Sequence, residues 1–172
     1  IYGSARTEPG TANWKHPEEI GRRIAKDLKY AVITGGGPGI MEAAHKGAHE
    51  AGGKAVALGI DLPHEGVENK YATDRMQFTY FFSRKTMLTF AAEAYIFMPG
   101  GFGTFDELFS TLTLIQTRKI PSVPVILFGS KFWNDMLNFI NKHMLEQENA
   151  ISSYDREIFK VTDDIDQVVE II

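Results

Sequence analysis

"FMPGGFGTFDELF", residues 97–109, decides how this chain is read. An apolar run ends in Pro99-Gly100-Gly101-Phe102-Gly103-Thr104, and a helical pattern begins at once. Bare backbone at a strand-to-helix turn lets a ligand reach main-chain N–H groups at the positive end of a helix, where phosphate binds well. The Thr104 hydroxyl can donate to a phosphate oxygen or cap the helix. Two acids, Asp106 and Glu107, follow within one turn. Carboxylates repel phosphate, so the ligand that suits this stretch has two unlike ends.

The helical phase separates the two acids. Neighbours on a helix point about 100° apart. Phe105, Leu108, Phe109, Leu112 and Ile115 recur as an apolar stripe. Asp106 then falls on the solvent side with Ser110 and Thr113, as a partner for the helix dipole. Glu107 falls on the flank nearer the glycine loop, as a surface acid or as a group aimed at the ligand. A nucleoside 5'-monophosphate has the required shape. Its phosphate sits on the loop amides and its ribose hydroxyls donate to a carboxylate. If the base departs, C1' becomes cation-like and a carboxylate stabilises it.

Working outward, short apolar runs alternate with amphipathic stretches. Strands are predicted at residues 30–34, 54–60, 76–82, 94–98, 123–128 and 158–162. Helices are predicted at 17–29, from the glycine turn to 51, at 84–93, from the second loop to 119, at 131–147 and at 163–172. Pro17 suits a first helical turn, and Ser83 suits an N-cap. The opening "IYGSAR" reads as the tail of a strand, so a start upstream is expected. The pattern predicts an α/β fold in one domain, a doubly wound, mainly parallel sheet with helices on both faces. Ligands in such sheets lie beyond the carboxyl ends of strands, near a topological switch point. The polar loop 61–74 is long enough to act as a substrate lid.

A second glycine turn, "TGGGPGIMEAA" (34–44), also follows a strand and opens a helix. Gly35, Gly36, Gly37 and Gly39 strip it of side chains, so it is read either as a phosphate site or as a tight turn with no ligand. The spacing is neither G-x-G-x-x-G nor a Walker A loop. Arg84 stands after a strand at the start of a helix, against the helix dipole, and offers a bidentate phosphate clamp. Lys85 either assists Arg84 or points to solvent.

Other chemistry finds little support. A net charge of -4 gives no basic surplus for nucleic acid, and no apolar run approaches a membrane span. Cysteine is absent, which removes disulfides and thiolates and fits a reducing, cytoplasmic compartment. His45 and His49 stand at i and i+4, but Lys46 occupies the place of the glutamate in H-E-x-x-H, so both are read as solvated and no metal is expected. "FTYFF" (78–82) is read as a buried strand rather than a stacking platform for bases.

"PGGFGTFDE" (99–107) matches the PGGxGTxxE signature of the Lonely guy (LOG) family, and "SRK" (83–85) its arginine-lysine motif. "GGGPGIMEAAHKGA" (35–48) resembles its first glycine loop and "YGSA" (2–5) its opening strand. The resemblance implies a Rossmann-like fold, a homodimer and hydrolysis of the N-glycosidic bond of adenosine-type 5'-monophosphates, many of them N6-modified cytokinin nucleotides. Carried over by position, it makes Arg84 and Glu107 the catalytic pair. Gly36, Gly37, Gly39, Gly100, Gly101, Gly103 and Thr104 cradle the phosphate, with Lys85 among the substrate-binding candidates. Met98 is expected near the base, and Phe102 replaces a tyrosine common in plant members. A purine-monophosphate nucleosidase and a non-catalytic nucleotide carrier or sensor use the same loops. Relatives labelled lysine decarboxylase would need a Schiff-base lysine, and no lysine context here points to one. No cofactor is implied. The apolar side chains of Met87, Leu88 and Leu114 are expected at the dimer surface.

Overall fold

The computed structural model describes residues 1–61, 69–90 and 92–172. The order is α1 (Ala12–Arg23), β1 (Val32–Thr34), α2 (Ile40–Glu50), β2 (Ala55–Ile60), β3 (Asp74–Phe78), α3 (Phe81–Phe90), β4 (Tyr95–Phe97), α4 (Phe102–Gln116), β5 (Val125–Phe128), α5 (Ser130–Phe139), β6 (Phe159–Thr162) and α6 (Ile165–Ile171). α1 and α5 run on as wider π-type turns over Ile24–Leu28 and Ile140–Gln147.

Every strand pair is parallel, in two triplets ordered β1-β2-β3 and β4-β5-β6. Residues 1–3 join them. The Ile1 ammonium donates to Ile33 O at 2.7 Å. Tyr2 N donates to Ile96 O, and Met98 N to Tyr2 O, both at 2.9 Å. From residues 1–3 at the centre the chain builds outward through β1 to β3, and returns to build β4 to β6 on the other side. The switch point lies at residues 1–3.

Central strands are buried on both faces, and alternation divides their side chains between two cores. Ile96, Met98, Ile126 and Phe128 face α1, α2 and α6, packing with Ile20, Ile40, Ala44 and Val168. Tyr95, Phe97, Val125 and Leu127 face α3, α4 and α5, packing with Leu88, Leu108, Ile115 and Trp133. α1 and α2 approach closely because a Cβ on Gly21 would sit 2.2 Å from Ala44 O and one on Gly47 1.8 Å from Glu18 O.

Two predicted boundaries shift for identifiable reasons. α1 begins at Ala12, with Pro17 inside it. An interior proline costs about 3 kcal/mol; the turn before it holds Trp14, which is buried and donates from Nε1 to Glu18 Oε2 at 3.0 Å. The predicted strand 76–82 ends at Phe78, whose partner is Ile60, the last residue of β2. With no neighbouring strand left to pair, the backbone turns and enters α3. Ser83 thus lies inside α3 and donates to Tyr80 O at 2.8 Å instead of capping the helix. Tyr80, Phe81 and Phe82 are exposed rather than buried in a strand. Residues 62–68 of the expected lid lie outside the described residues.

Candidate active site

Three turns converge at the switch point: residues 3–6, the glycine turn after β1 and the glycine loop after β4. The first runs between the other two. Ser4 N donates to Pro99 O at 3.0 Å, and Ser4 O accepts from Ile40 N at 3.0 Å. Gly39, with φ of 69°, would bring a Cβ within 2.3 Å of Ser4 O. A Cβ on Gly100 would lie 2.1 Å from Thr104 Oγ1 and 3.1 Å from Ser4 N. Both glycines serve the packing of the turns against each other. Gly36 and Gly37 sit tight against Ala57 and Met41. Gly101 and Gly103 differ, since a Cβ on either would meet no atom within 4 Å. Their backbone faces open space at the N-terminal turn of α4.

That space is a cavity of about 850 Å³, bordered by Gly36, Gly37, Gly101, Gly103, Thr104, Arg84 and Glu107. Candidate residues of both glycine loops and the two expected catalytic residues, Arg84 and Glu107, therefore border one cavity. Gly39 and Gly100 stand behind the lining. Met98, expected near the base, is buried in the core under the loop. Lys85 does not border the cavity itself: its ammonium donates to Asp106 Oδ2, on the cavity border, at 2.5 Å and to Ser110 Oγ at 3.1 Å.

Arg84 is fixed by main-chain carbonyls. Its Nε donates to Leu58 O at 2.7 Å and its Nη2 to Gly35 O at 3.4 Å. It bridges the end of β2 to the first glycine loop. A side chain on Gly35 would strike it, with Cβ 2.1 Å from Nη2.

Leu108 and Ile115 of the predicted stripe are buried and Phe105 and Leu112 pack against the core, whereas Phe109 is turned outward and Thr104 and Thr111 are buried in its stead. The buried face thus widens toward Thr104 and Thr111, the flank on which Glu107 lies. Its Oε2 is enclosed and has no hydrogen-bond partner among the described residues. Burial raises its carboxyl above the usual range, Asp106 adds to the rise, and Lys85 and Arg84 pull against it. Asp106 remains mostly exposed and paired with Lys85.

His45 was expected in solvent but is fully buried. Tyr71 N donates to Asn69 Oδ1, which turns the Asn69 amide so that Nδ2 faces His45 Nδ1 at 3.1 Å. Nε2 therefore carries the proton and faces Thr34 Oγ1 at 3.1 Å, and Thr34 Oγ1 also accepts from Gly36 N at 3.0 Å. A buried chain thus runs from Asn69, on the cavity wall, through α2 to the first glycine loop. Burial lowers the imidazole to about 4, with the Ile1 ammonium and Arg75 acting the same way. His49 is exposed, as predicted.

A family profile described as "Possible lysine decarboxylase" matches residues 41–172. Cytokinin riboside 5'-monophosphate phosphoribohydrolase LOG7 of Arabidopsis thaliana is 31% identical over 165 residues, covering 87% of this chain and 71% of that protein. The phosphoribohydrolase of Rhodococcoides fascians is 25% identical over 85% of this chain and 75% of its own. Across relatives, the aligned part spans from 52% to 79% of their length. The solved structure of TM1055 superposes with a TM-score of 0.71 at 25% identity, over 99% of this chain and 93% of that one. The molybdenum cofactor carrier protein of Chlamydomonas reinhardtii shares the fold at 21% identity, with a TM-score of 0.68 over 98% and 89%. With PGGxGTxxE at one wall of its cavity and Arg84 at another, this chain belongs to the Lonely guy family.

Proposed function

We propose that the protein hydrolyses the N-glycosidic bond of purine nucleoside 5'-monophosphates of the adenosine type, N6-modified ones included, to free base and ribose 5-phosphate. One observation carries this reading: α4 offers bare backbone for a phosphate at Gly101 and Gly103 and, one turn on, the enclosed carboxylate of Glu107. Phosphate on the first turn sets the ribose against Glu107. As the C1'–N bond breaks, its electron pair leaves with the base and C1' becomes cationic. The Glu107 carboxylate stabilises that cation and accepts a proton from the water that bonds to C1', and that proton is returned to the departing base nitrogen, which leaves as the neutral free base. Arg84, held by the Leu58 and Gly35 carbonyls, contributes positive charge where the base departs.

A pyridoxal phosphate reaction fits these residues poorly. No lysine borders the cavity among the described residues, and a Schiff base needs one.

The same proposal includes a homodimer and a cytoplasmic location. Tyr80, Phe82 and Phe90 are 63%, 72% and 80% exposed, and Phe102, beside the cavity loop, is 97% exposed. Apolar surface of that extent suits a second copy. A cysteine-free chain suits a reducing compartment. No helix among the described residues is long and apolar enough to cross a membrane.

The test is incubation with AMP, N6-isopentenyl AMP and adenosine, with chromatography of the released base. Release from a monophosphate and not from adenosine is expected. Tight binding without release from either monophosphate would leave a carrier.

A further inference from the structure

Three arginines border the cavity: Arg6, Arg75 and Arg84. Arg84 donates to the carbonyls of Leu58 and Gly35. Arg75 Nη2 donates to Asn69 O at 2.6 Å. Both guanidinium groups thus help to hold the wall together. Arg6 has a different setting. Its backbone N–H donates to Ser4 Oγ at 3.1 Å, but no group among the described residues pairs with its exposed guanidinium.

The backbone that carries Arg6 is nonetheless firmly held. Ser4 is bonded to Pro99 on one side and Ile40 on the other, so Arg6 leaves from a segment clamped between the two glycine turns. Its side chain borders the same cavity as glycines of both turns.

The charge balance of the loop calls for such a group. A phosphate monoester carries about -1.5 to -2 charges at neutral pH, whereas a helix N-terminus offers roughly half a positive charge. Asp106 and Glu107 stand one turn further along the same helix, and Lys85 is drawn to Asp106. We infer that Arg6 is the phosphate's counter-charge, closing over it from the turn between the two glycine loops in a charge-assisted, two-pronged contact. This rests on the monophosphate reading above and adds a residue that the sequence motifs leave out.

The experiment is titration calorimetry of the wild type, Arg6→Gln and Arg6→Lys with AMP, ribose 5-phosphate and adenosine, beside kcat for AMP. Arg6→Gln is expected to weaken AMP and ribose 5-phosphate alike by roughly 10- to 100-fold. Adenosine binding should change little. Arg6→Lys should fall between, because it keeps charge but loses the fork. Equal affinity of Arg6→Gln and wild type for both phosphates, or an equal loss for adenosine, overturns the inference while leaving the monophosphate reading intact. Arg6-dependent binding without base release upholds the inference and overturns the hydrolase. No binding of either phosphate by the wild type overturns both. The Arg6 side chain is exposed, so an unchanged melting temperature is expected in each variant.

Discussion

Lys85 Nζ lies 2.5 Å from Asp106 Oδ2, so α3 neutralises the first of two adjacent acids on α4 and leaves the second, Glu107, enclosed at the cavity wall. Their variants should separate accordingly. Glu107→Gln keeps the size and removes the charge proposed to meet the ribosyl cation, so kcat should fall on the order of 100- to 1000-fold. Asp106→Asn breaks an exposed ion pair worth about 0–1 kcal/mol, and the rate should hold within a few-fold. The check is kcat for AMP in both variants. A dead Asp106→Asn beside an active Glu107→Gln would sink the assigned roles.

Glu107 also makes a prediction about stability. Burial raises its folded-state pKa above the ordinary 4.5. Between the unfolded and folded values the native state binds more protons, so stability falls as pH rises through that window and stays lower above it. Glu107→Gln removes the penalty. At pH 7 this variant should therefore be more stable than the wild type, and the gap should close on acidification to about pH 4. Urea midpoints at the two pH values decide it. A gap that is constant, or that widens in acid, would mean the carboxyl is not penalised by burial.

His45 has the opposite sign. Its folded pKa, about 4, lies below the unfolded 6.5. The native state binds fewer protons between these values, so this residue makes stability rise with pH from about 4 to 6.5. His45→Asn should flatten that part of the profile. His45→Leu should also leave the buried Asn69 amide N–H without its acceptor, at about 1–3 kcal/mol. Denaturation at pH 5 and pH 7 tests both, and a wild-type slope retained in His45→Asn would refute the assignment.

Residues differ in how far they announced their places. The glycine loops and Glu107 could be read because their signal is local: a strand, a turn and a helix within about a dozen residues. The end of β3 could not, because Phe78 stops where its partner Ile60 stops, and no local propensity encodes that. The burial of His45 depends on Thr34 and Asn69, which lie 11 and 24 residues away in the chain. Leu88 was expected on a partner surface and packs in the core, while Phe82 and Phe90 of the same helix are outside. A helix with apolar residues on several faces gives no periodicity to choose between them.

Those exposed aromatics make the assembly testable. Phe82→Glu with Phe90→Glu places charge on the surface proposed to meet a second copy. The wild type should scatter light as a dimer at micromolar concentration and the double variant as a monomer, both with the same far-ultraviolet dichroism. A monomeric wild type would remove the dimer from the proposal.

Two glycines on the two loops should fail in different ways. Gly39 has φ of 69° and ψ of -130°, a region closed to other residues, and its Cβ would press on Ser4 O at 2.3 Å. Gly39→Ala should lose at least about 2 kcal/mol, seen as a melting temperature lower by several degrees. Gly103 has no such constraint, being helical with nothing within 4 Å of its Cβ position. Gly103→Ala should keep or slightly raise the melting temperature, because alanine favours helix by about 1 kcal/mol. Its methyl group instead enters the space assigned to the phosphate, so AMP should bind more weakly, on the order of tenfold, while adenosine is little affected. Melting curves and two titrations distinguish the loops. If Gly103→Ala binds AMP as well as the wild type, the phosphate does not rest on the first turn of α4.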